Sequence, residues 1–171
     1  MKALVIIAQH GYQDIELEGT RKGLEAAGFE IIVASKEAGP CVGKFNGHVQ
    51  AMTALRDVKI ADYDRIVFIG GPGAGALAKD SDALRVAKGG VASGKPVGAI
   101  CIAPTILAAA GVLKGKKVTG WDDGEGTQIR FLEAHGAIFV DQSVVTDGML
   151  VTGNGPEAAI LFGQTLAKLL G

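Results

Sequence analysis

The sequence is poor in cysteine and almost free of net charge, and each shortage excludes a class of protein. Its two cysteines, Cys41 and Cys101, lie far apart in a chain of 171 residues, so they form no disulfide framework of the kind that staples small secreted domains. A net charge of −1, with both signs spread along the chain, provides no basic field for nucleic acid phosphates or anionic lipids. We therefore expect reduced thiols and no nucleic acid partner.

Long hydrophobic runs are also missing. A membrane-spanning helix needs about 20 apolar residues, whereas the first run covers only residues 3–8 and lacks the cleavage site of a signal peptide. We therefore predict a soluble, cytoplasmic protein without a membrane partner.

Hydrophobic residues make up 48% of the chain and glycine occupies 26 positions. We therefore expect one domain over residues 1–171 with a sizeable core and many tight turns.

Short aliphatic runs alternate with helical patterns along the chain. Strand-like runs cover residues 2–8, 29–35, 63–71 and 96–100, followed by KKVTG and by a hairpin that turns at Asp147-Gly148. Helical patterns cover residues 15–27, a segment that starts at Asp80 or Ser81, residues 104–110, GTQIRFLEAHG and the carboxyl-terminal GPEAAILFGQTLAKLL. Residues 36–55 form a small β excursion with a turn at Asn46-Gly47. This alternation predicts an α/β fold with an open, mostly parallel central sheet and helices on both faces, whose ligands bind beyond the carboxyl ends of the strands.

Cys101 lies between the strand PVGAI and a helix that begins near Pro104. This is the position of a nucleophile elbow, a sharp turn that raises a side chain above the sheet edge and aims it at a helix N-terminus. A helix N-terminus can lower the pKa of a thiol, ordinarily about 8.5, by several units. The alternative is a small buried hydrophobe, because free cysteines are commonly buried and only Ala99 and Ala103 occupy the small-residue positions of an elbow.

Four segments together resemble a known family. AICIAPTILAAAGVLKGKKVT, ALVIIAQHGYQDIELEG, YDRIVFIGGPGAGAL and DGMLVTGNGPEAA are similar to segments of the ThiJ/PfpI family, within the class I glutamine amidotransferase-like superfamily, and the resemblance covers nearly the whole chain. It implies that Cys101 is the nucleophile and Glu16 is the acid that contacts it. The resemblance also implies the fold, a flavodoxin-like three-layer sandwich with a mostly parallel central sheet. It further implies a pocket of the oxyanion type, lined by amides around Gly71, Gly73 and Ile102, and a homodimer or higher homo-oligomer.

Glu16 is equally compatible with an ordinary first-turn acid, which a helix dipole favours. If it contacts Cys101, the two groups cannot both ionise without penalty, so we expect a coupled pair with the thiolate and a protonated Glu16 as the singly charged form. The glycine-rich GGPGAGA lacks the endings of a phosphate loop and of a dinucleotide fingerprint, and the tight spacings of a structural zinc site are absent. We therefore predict no cofactor and no metal.

The histidines that assist the cysteine in other members have no counterpart here. PfpI-like peptidases have histidine directly after the nucleophile, where this chain has Ile102, and other members take one from the next loop, where this chain has Trp121. Trp121 is interpreted as a pocket wall or as core packing. His10, His48 and His135 are interpreted as surface residues, with His10 as the candidate accessory residue of the site.

Without histidine, acyl transfer lacks its usual base and leaving-group acid. The predicted function is therefore a cysteine-dependent enzyme that acts on small reactive carbonyls, like the glyoxalases and deglycases of the family, or, as the less favoured choice, on amide bonds as a peptidase or amidase. The alternative is a non-enzymatic oxidative-stress sensor or protective protein whose Cys101 meets a small-molecule oxidant, because oxidation needs no proton shuttle. A third hypothesis makes Cys101 an inert relic in a binding protein. Cys41 is predicted to lie exposed in a Gly-Pro loop and is interpreted as incidental or as part of an interface.

Overall fold

A central β-sheet with helices on both faces organises the structure, a computed structural model that describes residues 1–170. Its strands are β1 (Lys2–Ile6), β2 (His10–Tyr12), β3 (Glu30–Ser35), β4 (Gly39–Gly43), β5 (His48–Ala51), β6 (Thr53–Ala54), β7 (Arg65–Phe68), β8 (Val97–Ile100), β9 (Lys117–Val118), β10 (Ile138–Phe139), β11 (Val144–Asp147) and β12 (Leu150–Gly153). Its α-helices are α1 (Asp14–Glu25), α2 (Ala74–Leu77), α3 (Ser81–Ala92), α4 (Pro104–Ala109), α5 (Thr127–Ala134) and α6 (Ala159–Lys168).

Seven strands form the central sheet in the order β11-β12-β8-β7-β1-β3-β6. All neighbours pair in parallel except β11, which is antiparallel to β12. The strands β7, β8 and β12 are buried along their whole length, as expected for parallel strands that are covered on both faces and read as continuous aliphatic runs. The predicted α/β class with a mostly parallel sheet is therefore confirmed.

Helices cover both faces of this sheet. In β8, the Cα of Gly98 faces Leu166 and Phe162 of α6, where an added Cβ would lie 2.5 and 2.8 Å from their side chains. The next residue back, Val97, instead approaches Gly90 of α3. Because successive side chains of a strand point to opposite faces, α6 and α3 lie on opposite sides. The helix α1 packs along α6 and completes its layer.

Short elements account for most differences from the sequence-based predictions. The β excursion and its turn at Asn46, which has a φ of 63°, are confirmed, but β2 joins it in parallel through β4, and β6 extends the edge of the central sheet. The segment KKVTG does not enter the central sheet, because β9 pairs only with β10. Strands of two or three residues carry too little periodic pattern to be recognised. Among residues 1–170, no helix is long and apolar enough to cross a membrane.

The order of the strands decides which loops meet. The neighbours β1, β7 and β8 run in parallel, so their carboxyl ends lie at one edge of the sheet. That edge receives the start of α1 after β1 and β2, the glycine-rich segment 70–73 after β7, and Cys101 directly after β8. The three sequence segments that carry chemistry are therefore brought together by the parallel arrangement.

Candidate active site

Cys101 lies in a strained turn directly after β8. Its φ is 63°, a left-handed conformation that is uncommon outside glycine. Three hydrogen bonds hold its backbone in this state. Its N–H donates to the carbonyl of Gly153 at 2.9 Å, and its carbonyl accepts from the N–H of Trp121 at 2.9 Å and from Nε2 of Gln128 at 2.6 Å. The turn has the geometry of the elbow that the sequence indicates, and Cys101 is only 6% exposed.

Glu16 approaches Cys101 from the first turn of α1 and is fully buried. Its Oε2 accepts the N–H of Gly70 at 2.9 Å, while Oε1 is buried and makes no hydrogen bond of good geometry with the described residues. The first turn of α1 is fastened to the same glycine, because the N–H of Gln13 donates to the Gly70 carbonyl at 3.0 Å. The helix start and the loop after β7 therefore hold the carboxyl in place.

Gly70 is the residue that lets the acid and the thiol meet. A Cβ on Gly70 would lie 2.7 Å from Oε2 of Glu16 and 2.8 Å from Cβ of Cys101. Atoms of these kinds do not approach so closely without displacement, so both side chains occupy the space that glycine leaves free. The carboxyl and the thiol form one buried pair, as the family resemblance implies.

Burial dominates the electrostatics of this pair. Burial raises the pKa of Glu16 from 4.5 to about 7, although the Cys101 thiol, the Gly70 N–H and the charge of Lys44 all favour its ionised form. Burial also raises the pKa of the Cys101 thiol, and the negative charge of Glu16 raises it further. The two groups titrate as a unit. Because the pKa of Glu16 lies at about 7 and the pKa of the thiol is raised above its ordinary value, the singly charged form carries its charge on Glu16 and its proton on the sulfur. The expectation of a thiolate beside a protonated Glu16 was therefore wrong.

The sequence predicts that a helix N-terminus lowers the pKa of the thiol, but this influence is weaker than that of burial. The N–H groups of Ile102 and Gly71 do lower the pKa of Cys101, but burial acts in the opposite direction and is the largest cause. This part of the prediction was wrong, because the enclosure of the turn by distant segments is not visible in its local sequence.

The amides expected around the pocket differ in their availability. Those of Ile102 and Gly71 act on the thiol, whereas the N–H of Gly73 donates to the carbonyl of Gly11 at 3.0 Å. Gly73 is therefore not a free donor. Gly71 has a φ of 106°, and a Cβ there would come within 2.5 Å of the Gly11 carbonyl oxygen. Glycine at this position permits the close approach of the two loops.

A cleft of about 260 Å³ adjoins the elbow, and Trp121 forms part of its wall. Trp121 is 42% exposed, so it forms a pocket wall and does not pack in the core. Cys101 does not itself line the cleft. Its carbonyl is connected to the cleft wall by the hydrogen bond that it accepts from the Trp121 N–H. The lining residues are Gly120, Trp121, Asp122, Phe139, Asp141, Asn154, Gly155, Pro156 and Glu157.

The histidines and the second cysteine lie away from the pair. His10 is exposed in β2 and borders a separate cleft beyond the carboxyl ends of β1, β3 and β7. His48 begins β5, and His135 follows α5, where its Nδ1 lies 2.8 Å from a carbonyl of the same helix. None of the three is among the causes that shift the pKa of Cys101. Cys41 is fully buried in β4, so the prediction that it is exposed was wrong.

Comparison with known proteins agrees with this geometry. The sequence model of the DJ-1/PfpI family matches residues 1–169. The chain belongs to the DJ-1/PfpI family. It is 32% identical over 170 residues to deglycase PfpI of Pyrococcus furiosus, with 99% of each chain covered. It is 30% identical over 173 residues to protein/nucleic acid deglycase 2 of Escherichia coli, with 99% of this chain and 98% of that protein covered.

Solved structures of DJ-1/PfpI proteins have the same fold. The ThiJ/PfpI domain protein of Brachyspira murdochii superposes with a TM-score of 0.91 at 27% identity, covering 97% of this chain and 94% of that chain. DJ-1beta of Drosophila melanogaster superposes with a TM-score of 0.85 at 29% identity, covering 98% and 88%. The family and the flavodoxin-like fold that the sequence predicts are therefore confirmed.

Three residues at this DJ-1/PfpI site were not singled out from the sequence. Gly70 is visible only as one glycine in a glycine-rich run, which indicates close backbone approach but not to which side chains. Lys44 acts on Glu16 from the loop between β4 and β5, and Gln128 reaches the elbow from α5. Both lie tens of residues away from their targets, and no local motif connects them.

Proposed function

We propose that this DJ-1/PfpI protein is a cysteine-dependent enzyme that acts on small reactive carbonyls and their adducts, as a deglycase or glyoxalase does. Cys101 serves as the nucleophile and Glu16 as the proton-transfer group. The observation that carries the proposal is the buried contact of these two side chains at a strained turn. The relatives named deglycases, similar over the whole chain, support the same class of reaction.

The first step is an addition that needs only these two groups. The sulfur of Cys101 forms a bond to the carbonyl carbon, and the π electrons of the C=O bond pass to the oxygen. The thiol proton passes to the carboxylate of Glu16 and then to the new alkoxide, so a neutral hemithioacetal forms and no proton is lost. With a pKa of about 7, Glu16 can accept and return a proton near neutral pH, where general acid–base catalysis is most efficient.

The backbone supports the charge that develops on oxygen. The N–H groups of Ile102 and Gly71 point to the region of the thiol, and donors placed before the reaction stabilise an alkoxide without reorganisation. Carbonyl addition has no leaving group to protonate, whereas peptide hydrolysis must protonate an amine. The substitution of Ile102 and Trp121 for the histidines of other members therefore favours carbonyl chemistry over peptide hydrolysis.

The test is turnover of methylglyoxal and of its adduct with N-acetylcysteine. Conversion of methylglyoxal to lactate consumes only water, because the aldehyde is oxidised while the neighbouring ketone is reduced. We expect lactate formation with the wild-type protein, loss of it in Cys101→Ser, and retention in Cys41→Ser, which removes the cysteine outside the site. Lactate formation by Cys101→Ser at the wild-type rate would refute the proposal.

Two further predictions, oxidation of Cys101 and assembly into a homo-oligomer, can be tested with the same purified wild-type protein. The oxidative-stress alternative stays a prediction: oxidation of Cys101 by dilute peroxide, in a protein without carbonyl turnover, would favour it. The homo-oligomer implied by the family resemblance also stays a prediction, and light scattering of the eluted protein would measure its mass directly.

A further inference from the structure

The elbow receives a side-chain hydrogen bond from a distant helix. Gln128 lies in the first turn of α5 and is only 8% exposed, and its Nε2 donates to the Cys101 carbonyl at 2.6 Å. Space for this bond is kept free by Gly120, where an added Cβ would lie 2.7 Å from Nε2 of Gln128 and 3.3 Å from the Cys101 carbonyl oxygen. The backbone of Gly120 therefore encloses the hydrogen bond between Gln128 and Cys101 on one side, where a larger residue would not fit.

We propose that Gln128 is a positioning residue for Cys101, an inference that rests on the proposed role of Cys101 as nucleophile. A non-glycine residue with positive φ is strained and persists only where its surroundings hold it. Of the three hydrogen bonds that hold the Cys101 backbone, two come from backbone N–H donors or carbonyl acceptors, and only that of Gln128 comes from a side chain. It is the one that a substitution can remove.

Gln128 also couples the nucleophile to the cleft. Both donors to the Cys101 carbonyl, the N–H of Trp121 and Nε2 of Gln128, belong to the segment that leads from β9 into α5. The same segment provides Gly120, Trp121 and Asp122 to the wall of the cleft. The position of the cleft wall and the backbone torsion of the nucleophile are therefore held by the same segment.

Loss of this bond should affect the chemical step more than binding. Relaxation of Cys101 toward negative φ would turn its sulfur away from Glu16 and from the amides of Ile102 and Gly71. Misplacement of a reacting group by about 1 Å can cost about 100-fold in rate. We expect a tenfold or greater loss of kcat in Gln128→Met, which keeps the side-chain length but removes the donor, with KM changed less than about twofold.

The experiment compares Gln128→Met and Gln128→Glu with Glu133→Gln, a control at an exposed position of the same helix. Each variant is measured for methylglyoxal turnover and for the pH dependence of Cys101 alkylation by iodoacetamide, in a Cys41→Ser background. The carboxylate of Gln128→Glu cannot donate to the carbonyl, whereas its protonated form can. We therefore expect activity relative to wild type to rise as the pH falls in Gln128→Glu, and to stay low in Gln128→Met.

Each outcome decides the inference. Wild-type kcat and a wild-type alkylation profile in folded Gln128→Met would overturn it, as would a loss confined to KM. If Gln128→Met does not fold, the pH dependence of Gln128→Glu decides, and a ratio to wild type that stays constant with pH refutes the positioning role. If the wild-type protein shows no turnover, the proposed function fails, but a changed alkylation profile in the Gln128 variants and an unchanged one in Glu133→Gln still support the positioning of Cys101.

Discussion

Replacement of Glu16 by glutamine should change the pH dependence of stability in a way that can be calculated from the buried carboxyl. Burial raises the pKa of Glu16 from 4.5 to about 7 in the folded protein. Between these values the folded protein binds a proton that the unfolded chain has released, so the stability that this proton contributes is complete below pH 4.5 and is lost as the pH rises through 7. The difference corresponds to about 3 kcal/mol.

Glutamine has the shape of the protonated acid but no charge to release. The free energy of unfolding of Glu16→Gln, relative to that of the wild type, should therefore increase by about 3 kcal/mol as the pH rises from 4.5 to 8. The assay is urea unfolding at intervals of half a pH unit through this range. Other titrating groups cancel in the difference between the two proteins.

The control is Glu18→Gln, two residues along the same helix. Glu18 has a side chain that is 66% exposed and pairs with Lys22 at 3.3 Å, so its replacement should change stability by less than about 0.5 kcal/mol. A difference between Glu16→Gln and wild type that stays constant from pH 5 to 8 would refute the reasoning, because it would mean that Glu16 does not keep its proton in the buried site.

Two further substitutions test the packing at the site and the cap of α3. Gly70→Ala should destabilise the protein by about 1–3 kcal/mol and disrupt the acid–thiol pair, because the new methyl group has no space between the two side chains. The control is Gly75→Ala, whose methyl group meets no atom within 4 Å and should not destabilise the protein. Equal effects of the two substitutions in urea unfolding would contradict the argument. Asp80→Ala should lower the free energy of unfolding by about 1 kcal/mol, because Oδ1 of Asp80 accepts two N–H groups at the start of α3 at 3.0 Å. Ser81→Ala is the control. A smaller effect at Asp80 than at Ser81 would show that the cap contributes nothing.

Local signals in the sequence were sufficient for the main elements. The turns at Asn46 and Gly148 adopt positive φ and connect the predicted hairpins, because few residues other than asparagine and glycine adopt these angles. The start of α3 was predicted at Asp80 or Ser81 from their capping side chains, and the structure shows that Asp80 accepts the two N–H groups. Capping and turn preferences depend on atoms within four residues, so the sequence displays them directly.

Pairings between distant segments were not visible. The strands β2, β6 and β9 are too short for a periodic pattern, and their partners lie elsewhere in the chain. The hydrogen bond from the Gly73 N–H to the Gly11 carbonyl was not visible for the same reason. The local sequence shows that Gly73 has a donor but not that another loop already accepts its hydrogen bond.

The sequence by itself determined the alternation of strands and helices, the turn that carries Cys101 and the family to which the chain belongs. Only the tertiary structure decided that Glu16 is fully buried, that Gly70 leaves room for both members of the pair, and that Gln128 holds the elbow from another helix. The physical reason is that backbone preferences arise from neighbouring residues, whereas the pKa of a group and the strain at a turn depend on the segments that enclose them.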